Sequence, residues 1–126
     1  MSIPNLNNVT HSMPTVQTEA KLQSICYQWA YNTFPIIRGL IFSVPNGGTR
    51  NMREAQLLKA TGLTAGIPDL IILYNGITAF EFKTKTGKLS PAQIKIHAIW
   101  KANGIVIHLV NDEIEFKSIV QRIIIS

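Results

Sequence analysis

The residues best suited to chemistry in this sequence are two acids and a lysine within apolar segments. Asp69 precedes the run Leu-Ile-Ile-Leu, and Glu81 and Lys83 lie at the end of a second run that begins at Ile77. An ionisable group placed among Ile, Leu and Phe costs several kcal/mol unless its charge is paired. The sequence therefore raises the question of what compensates these charges.

The turn between the two apolar runs decides whether the acids can meet. Side chains alternate along a strand, so Glu81 and Lys83 share one face and the phenylalanines beside them share the other. A two-residue Asn75-Gly76 turn would place Asp69 and Glu81 on opposite faces. A three-residue turn that begins at Tyr74, with Gly76 in a left-handed conformation, would place Asp69 opposite Glu81.

Adjacent carboxylates raise one another's pKa unless a cation lies between them. Mg²⁺ and Mn²⁺ prefer oxygen ligands, commonly one or two carboxylates with waters and substrate phosphate. Lys83 would lie beside such an ion and could orient a water or hold a phosphate oxygen, which matches hydrolysis of a phosphodiester. A Glu–Lys pair at a strand edge is also common as a solvated surface pair, and the acids alone leave that alternative open.

Glu19 is a candidate third acid from another element. It lies three residues before Leu22, on the inward stripe of a predicted first helix. A glutamate in a first turn also suits the helix dipole, so a purely structural role stays open.

Periodicity and turn signals predict the elements that must position these residues. They are a helix from residue 15 or 18 to 34, a strand over 40–44, a helix over 51–60, strands over 69–73 and 77–83, a helix over 90–103, a strand over 105–110, and a final helix from 112 through 123. This α-β-α-β-β-α-β-α order predicts an α/β fold with a mixed sheet of about four strands flanked by helices. Residues 1–14 are expected to form a flexible arm, and residues 15–126 a single domain.

The composition favours a folded protein with an anionic partner. Twelve Lys and Arg oppose seven Asp and Glu, which gives a net charge of +5. Such a surface attracts nucleic acid, although it also serves solubility. No apolar run approaches the roughly 18 residues that span a bilayer, and no signal peptide is evident, so we expect a cytoplasmic protein. Cys26 is expected in the core, and the dispersed histidines do not predict a zinc cluster.

Four stretches together resemble the VRR-NUC family, the virus-type replication-repair nucleases of the PD-(D/E)XK superfamily. They are PNGGTR (45–50), LLKATGLTAGIPD (57–69), PDLIILYNGITAFEFK (68–83) and FEFKTKTGKLSPAQ (80–93), and the resemblance covers about residues 19–110. It implies a restriction-endonuclease-like core and a deoxyribonuclease that uses Mg²⁺ or Mn²⁺. Family members often carry a histidine before the V-P-N stretch, where this chain has Ser43.

The resemblance also implies roles for individual residues. Asp69, Glu81 and the Phe82 backbone carbonyl would hold the metal, and Glu19 would be the first-helix acid and a possible further ligand. Lys83 would be the catalytic lysine.

Gln93 would complete the site on the helix after the lysine strand. The same residue is predicted to form a capping box with Ser90, and both roles can hold only if they use different atoms of the amide.

The implied substrate is branched DNA, including Holliday junctions. The resemblance also implies a stand-alone nuclease that acts as a homodimer. Its expected location is the cytoplasm, or the host cytoplasm if the protein is phage-encoded. The alternatives are a non-catalytic DNA-binding module and an exonuclease or restriction-type cutter of linear duplex. With no aromatic-rich segment, recognition through backbone and shape is expected. The candidate DNA contacts, each of which could also be a solvated polar group, are Asn46, Gly47, Arg50, Arg53, Lys85 and Lys88, with Lys59 weaker. The apolar end, Ile123 to Ile125, could close the core or form a subunit interface.

Overall fold

A computed structural model describes residues 17–45 and 51–126. In this part of the chain the elements are α1 (Glu19–Thr33), a 3₁₀ helix (Pro35–Ile37), β1 (Ile41–Ser43), α2 (Met52–Ala60), β2 (Leu70–Leu73), β3 (Ile77–Phe82), α3 (Pro91–Ala102), β4 (Val106–Val110) and α4 (Glu113–Ile125). The predicted order of helices and strands is confirmed, and the 3₁₀ helix is an addition that the sequence analysis did not predict. The predicted arm over residues 1–14 lies outside the described residues, as do residues 46–50, which include three of the candidate DNA contacts.

The four strands form one mixed sheet in the order β1-β2-β3-β4. β1 pairs with β2 and β2 with β3 in antiparallel fashion, whereas β3 and β4 are parallel. Parallel neighbours need a crossover connection, and α3 provides it. The sheet confirms the predicted α/β class.

The turn between β2 and β3 has the three-residue form, which of the two alternatives is the one that places Asp69 opposite Glu81. Leu73 pairs with Ile77, and the intervening Asn75 and Gly76 have positive φ values of 50° and 106°. The backbone N–H of Asp69 donates to the Phe80 carbonyl at 3.0 Å. The Asp69 side chain accepts a hydrogen bond from the backbone N–H of Phe82. Asp69 therefore contacts both Phe80 and Phe82, and it lies opposite Glu81, the residue between these two.

One face of the sheet packs on α1 and α4 to form the core. The Phe80 and Phe82 rings lie 4.8 and 5.8 Å from the Phe116 ring of α4, measured between centroids. Cys26 is fully buried there, and burial raises its pKa to about 12, so its thiol stays protonated, in accord with a core role. Ile123 and Ile124 pack partly against this core, whereas Ile125 is exposed.

The loop before β2 packs backbone against backbone on the first turn of α3. Gly66 has a φ of +90°, and a Cβ at this position would lie 2.3 Å from the Ala92 carbonyl oxygen and 2.9 Å from the Gln93 nitrogen. Only glycine fits both the backbone conformation and the space. This contact fixes the distance between Asp69 and the start of α3. Among the described residues, no helix combines the length and apolar character needed to cross a membrane.

We predict that Gly66→Ala lowers the free energy of unfolding by more than about 3 kcal/mol, because it adds a backbone clash to a strained φ. Gly62 is the matched control, since it has a φ of +112° and a Cβ added there would meet no atom within 4 Å. Gly62→Ala should therefore cost only about 1–2 kcal/mol. Urea denaturation measures both, and equal losses would contradict the close approach at Gly66.

Candidate active site

Asp69 is fixed at the start of β2 by backbone contacts. Its Oδ2 accepts a hydrogen bond from the Phe82 backbone N–H at 2.8 Å, and the carboxylate is half-buried. In an extended strand the N–H and C=O of one residue point to the same side. The Phe82 carbonyl is therefore expected to face the same edge as the Asp69 carboxylate, where both could contact one ion.

Glu81 lies on the face of the sheet opposite the core, and only 1% of it is exposed. Both of its oxygens contact α3. Oε2 accepts a hydrogen bond from Gln93 Nε2 at 3.1 Å, and Oε1 lies 2.9 Å from His97 Nε2. The carboxylate is thus held at both oxygens by side chains one helical turn apart.

Gln93 bridges the start of α3 and the buried acid. Its Oε1 accepts from the Ser90 backbone N–H at 2.8 Å, while Ser90 Oγ accepts from the Gln93 backbone N–H at 3.2 Å. These two bonds form a capping box. The amide nitrogen stays available for Glu81, so the capping contact and the site contact use different atoms.

Burial and a neighbouring acid both disfavour the ionised form of Glu81. Its pKa is raised to about 9, first by burial, then by a hydrogen bond with Asp69 and by the Asp69 charge, with a smaller contribution from Glu19. Lys83 acts in the opposite direction. Burial also lowers the pKa of His97, as does the charge of Lys101. The described side chains therefore leave two acids close together with incomplete compensation.

Lys83 lines a cleft at the end of β3, and Glu19 lies near the loop that follows this strand. Lys83 follows β3, its backbone N–H donates to the Val110 carbonyl at 2.9 Å, and its side chain is half-buried. Glu19 lies in the first turn of α1, where its Oε2 is 3.2 Å from the position of a Cβ added to Gly87. The cleft measures about 310 Å³ and is lined by Gln17, Thr18, Leu22, Lys83, Thr84, Lys85, Thr86 and Asn111.

The donor set fits a hard divalent cation better than zinc. Across residues 17–45 and 51–126, no three His, Cys, Asp or Glu side chains form a group that could hold a metal. Asp69 and Glu81 supply two carboxylates, and the Phe82 carbonyl could supply a third oxygen, which leaves room for waters and phosphate as Mg²⁺ requires. Direct ligation by Glu19 stays a prediction.

The candidate DNA contacts divide by position. Arg53 lies in the first turn of α2, Lys59 lies in its last turn, and Lys85 and Lys88 lie in the loop between β3 and α3, all four exposed. Asn46, Gly47 and Arg50 lie outside the described residues.

His97 is a site residue that the sequence analysis missed. It is buried, with 6% of its surface exposed, and it contacts Glu81 directly. The available signal was its spacing, because residues four apart on a helix share a face and Gln93 precedes it by four. That signal points to Glu81 only once the packing of α3 on β3 is known.

Comparisons with known proteins support the fold. A solved structure described as a "VRR_NUC domain protein" superposes with a TM-score of 0.70 and 23% sequence identity, over 85% of this chain and 88% of that one. No family model and no curated protein matches the sequence. At this identity the similarity establishes the fold, and the resemblance to the VRR-NUC family predicted from the motifs is confirmed at that level.

We predict that, in EDTA, Glu81→Gln gains stability relative to the native protein as the pH rises from about 5 to about 9. The folded-state pKa of about 9 lies above the ordinary value of 4.5, so folding retains a proton and native stability falls as the pH rises through this window. Urea denaturation at several pH values measures the difference. The exposed Glu115→Gln variant is the control, and a pH-independent gap between Glu81→Gln and native protein would contradict the assignment.

Proposed function

We propose that this protein is a divalent-metal-dependent nuclease that hydrolyses phosphodiester bonds in DNA. The observation that carries the proposal is the meeting of Asp69 and a buried Glu81, with Lys83 two residues farther along the chain. The fold similarity to a VRR_NUC domain protein supports the same conclusion.

The metal would be Mg²⁺ or Mn²⁺, held by Asp69, Glu81 and the Phe82 carbonyl. When bound, such an ion offsets negative charge that develops on the phosphate and favours ionisation of a water. Glu81 must then be ionised, and the ion itself compensates the charge that burial otherwise disfavours.

The remaining side chains would act on the substrate or on the acids. The Lys83 ammonium would hold a non-bridging phosphate oxygen and orient the attacking water, since it borders the cleft and its charge reaches Glu81. The Gln93 amide would keep the plane of the Glu81 carboxylate fixed through Oε2. Glu19 would add a carboxylate from the first turn of α1, where its Oε2 lies near Gly87 in the loop after β3.

DNA would be held through its backbone. Exposed Lys85 and Lys88 continue from the Lys83 end of β3, and Arg53 lies on α2. We propose that Asn46, Gly47 and Arg50 belong to the same contact surface. The net charge of +5 favours a polyanionic substrate.

The preferred substrate would be branched DNA such as a Holliday junction, cut by a homodimer in the cytoplasm. A symmetric dimer carries two sites, as paired cuts across a junction require. Exposed apolar side chains on α2, Met52 at 74% and Leu57 at 63%, are compatible with burial in an interface.

We expect Asp69→Asn and Glu81→Gln each to lower cleavage at least ~100-fold with DNA affinity nearly unchanged, because the basic contacts lie outside the acid pair. Native protein and variants would be incubated with junction, flap, single-stranded and linear duplex DNA in Mg²⁺, Mn²⁺ or EDTA and resolved on gels. Glu115→Gln, an exposed glutamate on α4, should retain native activity.

The same gels separate the alternatives. If metal-dependent cleavage is faster on linear duplex than on the junction, the protein is a restriction-type or exonucleolytic enzyme and is not selective for branched DNA. Tight, salt-sensitive binding with no product in either metal would make the protein a DNA-binding module, and cleavage by an Asp69→Asn/Glu81→Gln double variant would refute the assigned site.

We predict that Lys85→Ala and Lys88→Ala each weaken DNA binding and reduce the slope of log K against log salt by about 1, as expected for one lost phosphate contact. Fluorescence anisotropy in EDTA over a range of salt concentrations measures both quantities. The control is Lys117→Ala, because Lys117 pairs with Glu113 at 3.7 Å and lies over the Trp29 ring. Equal slopes for all three variants would exclude Lys85 and Lys88 from the DNA interface.

A further inference from the structure

His97 contacts the buried acid from the same helix face as Gln93. The Glu81 carboxylate therefore has a separate partner on each oxygen, Gln93 Nε2 at 3.1 Å on Oε2 and His97 Nε2 at 2.9 Å on Oε1. Two contacts at different oxygens fix both the position and the rotation of the carboxylate plane, whereas one contact leaves the plane free to turn.

The helix that carries both side chains is itself held in place. The Ser90–Gln93 capping box orders its first turn, and Gly66 allows the loop before Asp69 to touch the Ala92 carbonyl. The position of His97 relative to Asp69 is thus set by backbone packing. A hydrogen-bonding side chain in that position can orient Glu81 toward Asp69.

We propose that His97 is a positioning residue that donates a hydrogen bond from Nε2 to Glu81 Oε1 and so aims this carboxylate at the divalent cation. The proposal rests on the proposed metal-dependent function. An ionised Glu81 can only accept hydrogen bonds, so with metal bound the Nε2 atom must carry the proton. Each carboxylate oxygen keeps a second lone pair, which leaves Glu81 able to coordinate the ion.

Residues that orient metal ligands commonly change metal affinity by about 10- to 100-fold when they are removed. His97→Leu removes the donor at similar volume, and His97→Gln restores an N–H at about the same distance from the backbone. His97→Asn keeps a polar side chain that is too short to place its amide at Oε1. The matched control is His108→Leu, since His108 stacks on Phe80 at 5.7 Å on the opposite face of the sheet.

The experiment measures Mn²⁺ affinity of the metal-free protein by titration calorimetry, together with the unfolding midpoint and the kcat and KM of cleavage. We expect His97→Leu to raise the Kd for Mn²⁺ at least about 10-fold and to lower kcat with little change in the KM for DNA. His97→Gln should lie within about threefold of native affinity. His108→Leu should leave the Kd for Mn²⁺ at the native value even where its unfolding midpoint falls.

Two results would overturn the positioning role while leaving the nuclease assignment intact. One is a folded His97→Leu variant with native Mn²⁺ affinity, and the other is a His97→Gln variant as weak as His97→Leu. If His97→Leu does not fold, the same comparison is made between His97→Asn, expected to be weak, and His97→Gln. Native protein that neither binds Mn²⁺ nor cleaves DNA would overturn both proposals.

Discussion

Burial of the Glu81 carboxylate beside Asp69 is the constraint on which the rest of the site depends. A carboxylate with 1% exposure must be neutralised or compensated, and burial together with the neighbouring Asp69 raises the pKa of Glu81 to about 9. The three-residue turn brings Asp69 opposite Glu81, and the loop at Gly66 sets the spacing between Asp69 and α3. Gln93 and His97 then occupy both oxygens of Glu81. Each of these features holds Asp69 and Glu81 close together, although their like charges repel.

The same constraint connects the fold to the proposed chemistry. The sheet separates two environments, since Phe80 and Phe82 pack into the core while Glu81 lies on the opposite face against α3. A divalent cation would supply the compensation that Lys83 gives only in part. Asp69 and Glu81 would be its ligands, and Lys83 would connect them to the cleft between α1 and the loop after β3, which it lines. Lys85 and Lys88 are exposed in that loop, where their charges would attract the DNA backbone.

Much of the fold and part of the site could be predicted from the sequence because the signals are local. Asn75-Gly76 marks the turn and reduces the register to two alternatives, of which the pairing of Leu73 with Ile77 selects one, and Ser90 to Gln93 marks the start of α3. His97 could not be assigned, because its contact with Glu81 depends on how α3 packs across the sheet. The close approach at Gly66 is equally non-local, since the sequence shows a glycine but not the carbonyl it faces. Asp69 and Glu81 could be predicted as site residues from the turn geometry and from the family resemblance. The contacts of Glu81 with Gln93 and His97 are visible only in the structure.

The central proposal is that Asp69 and Glu81 together bind a divalent cation. The most direct test is an anomalous difference map from crystals grown with Mn²⁺ at a concentration that supports cleavage. The account predicts a single strong peak within about 2.3 Å of a carboxylate oxygen of each residue. A map without a peak between these two side chains, or with Asp69 and Glu81 turned away from each other, would contradict it.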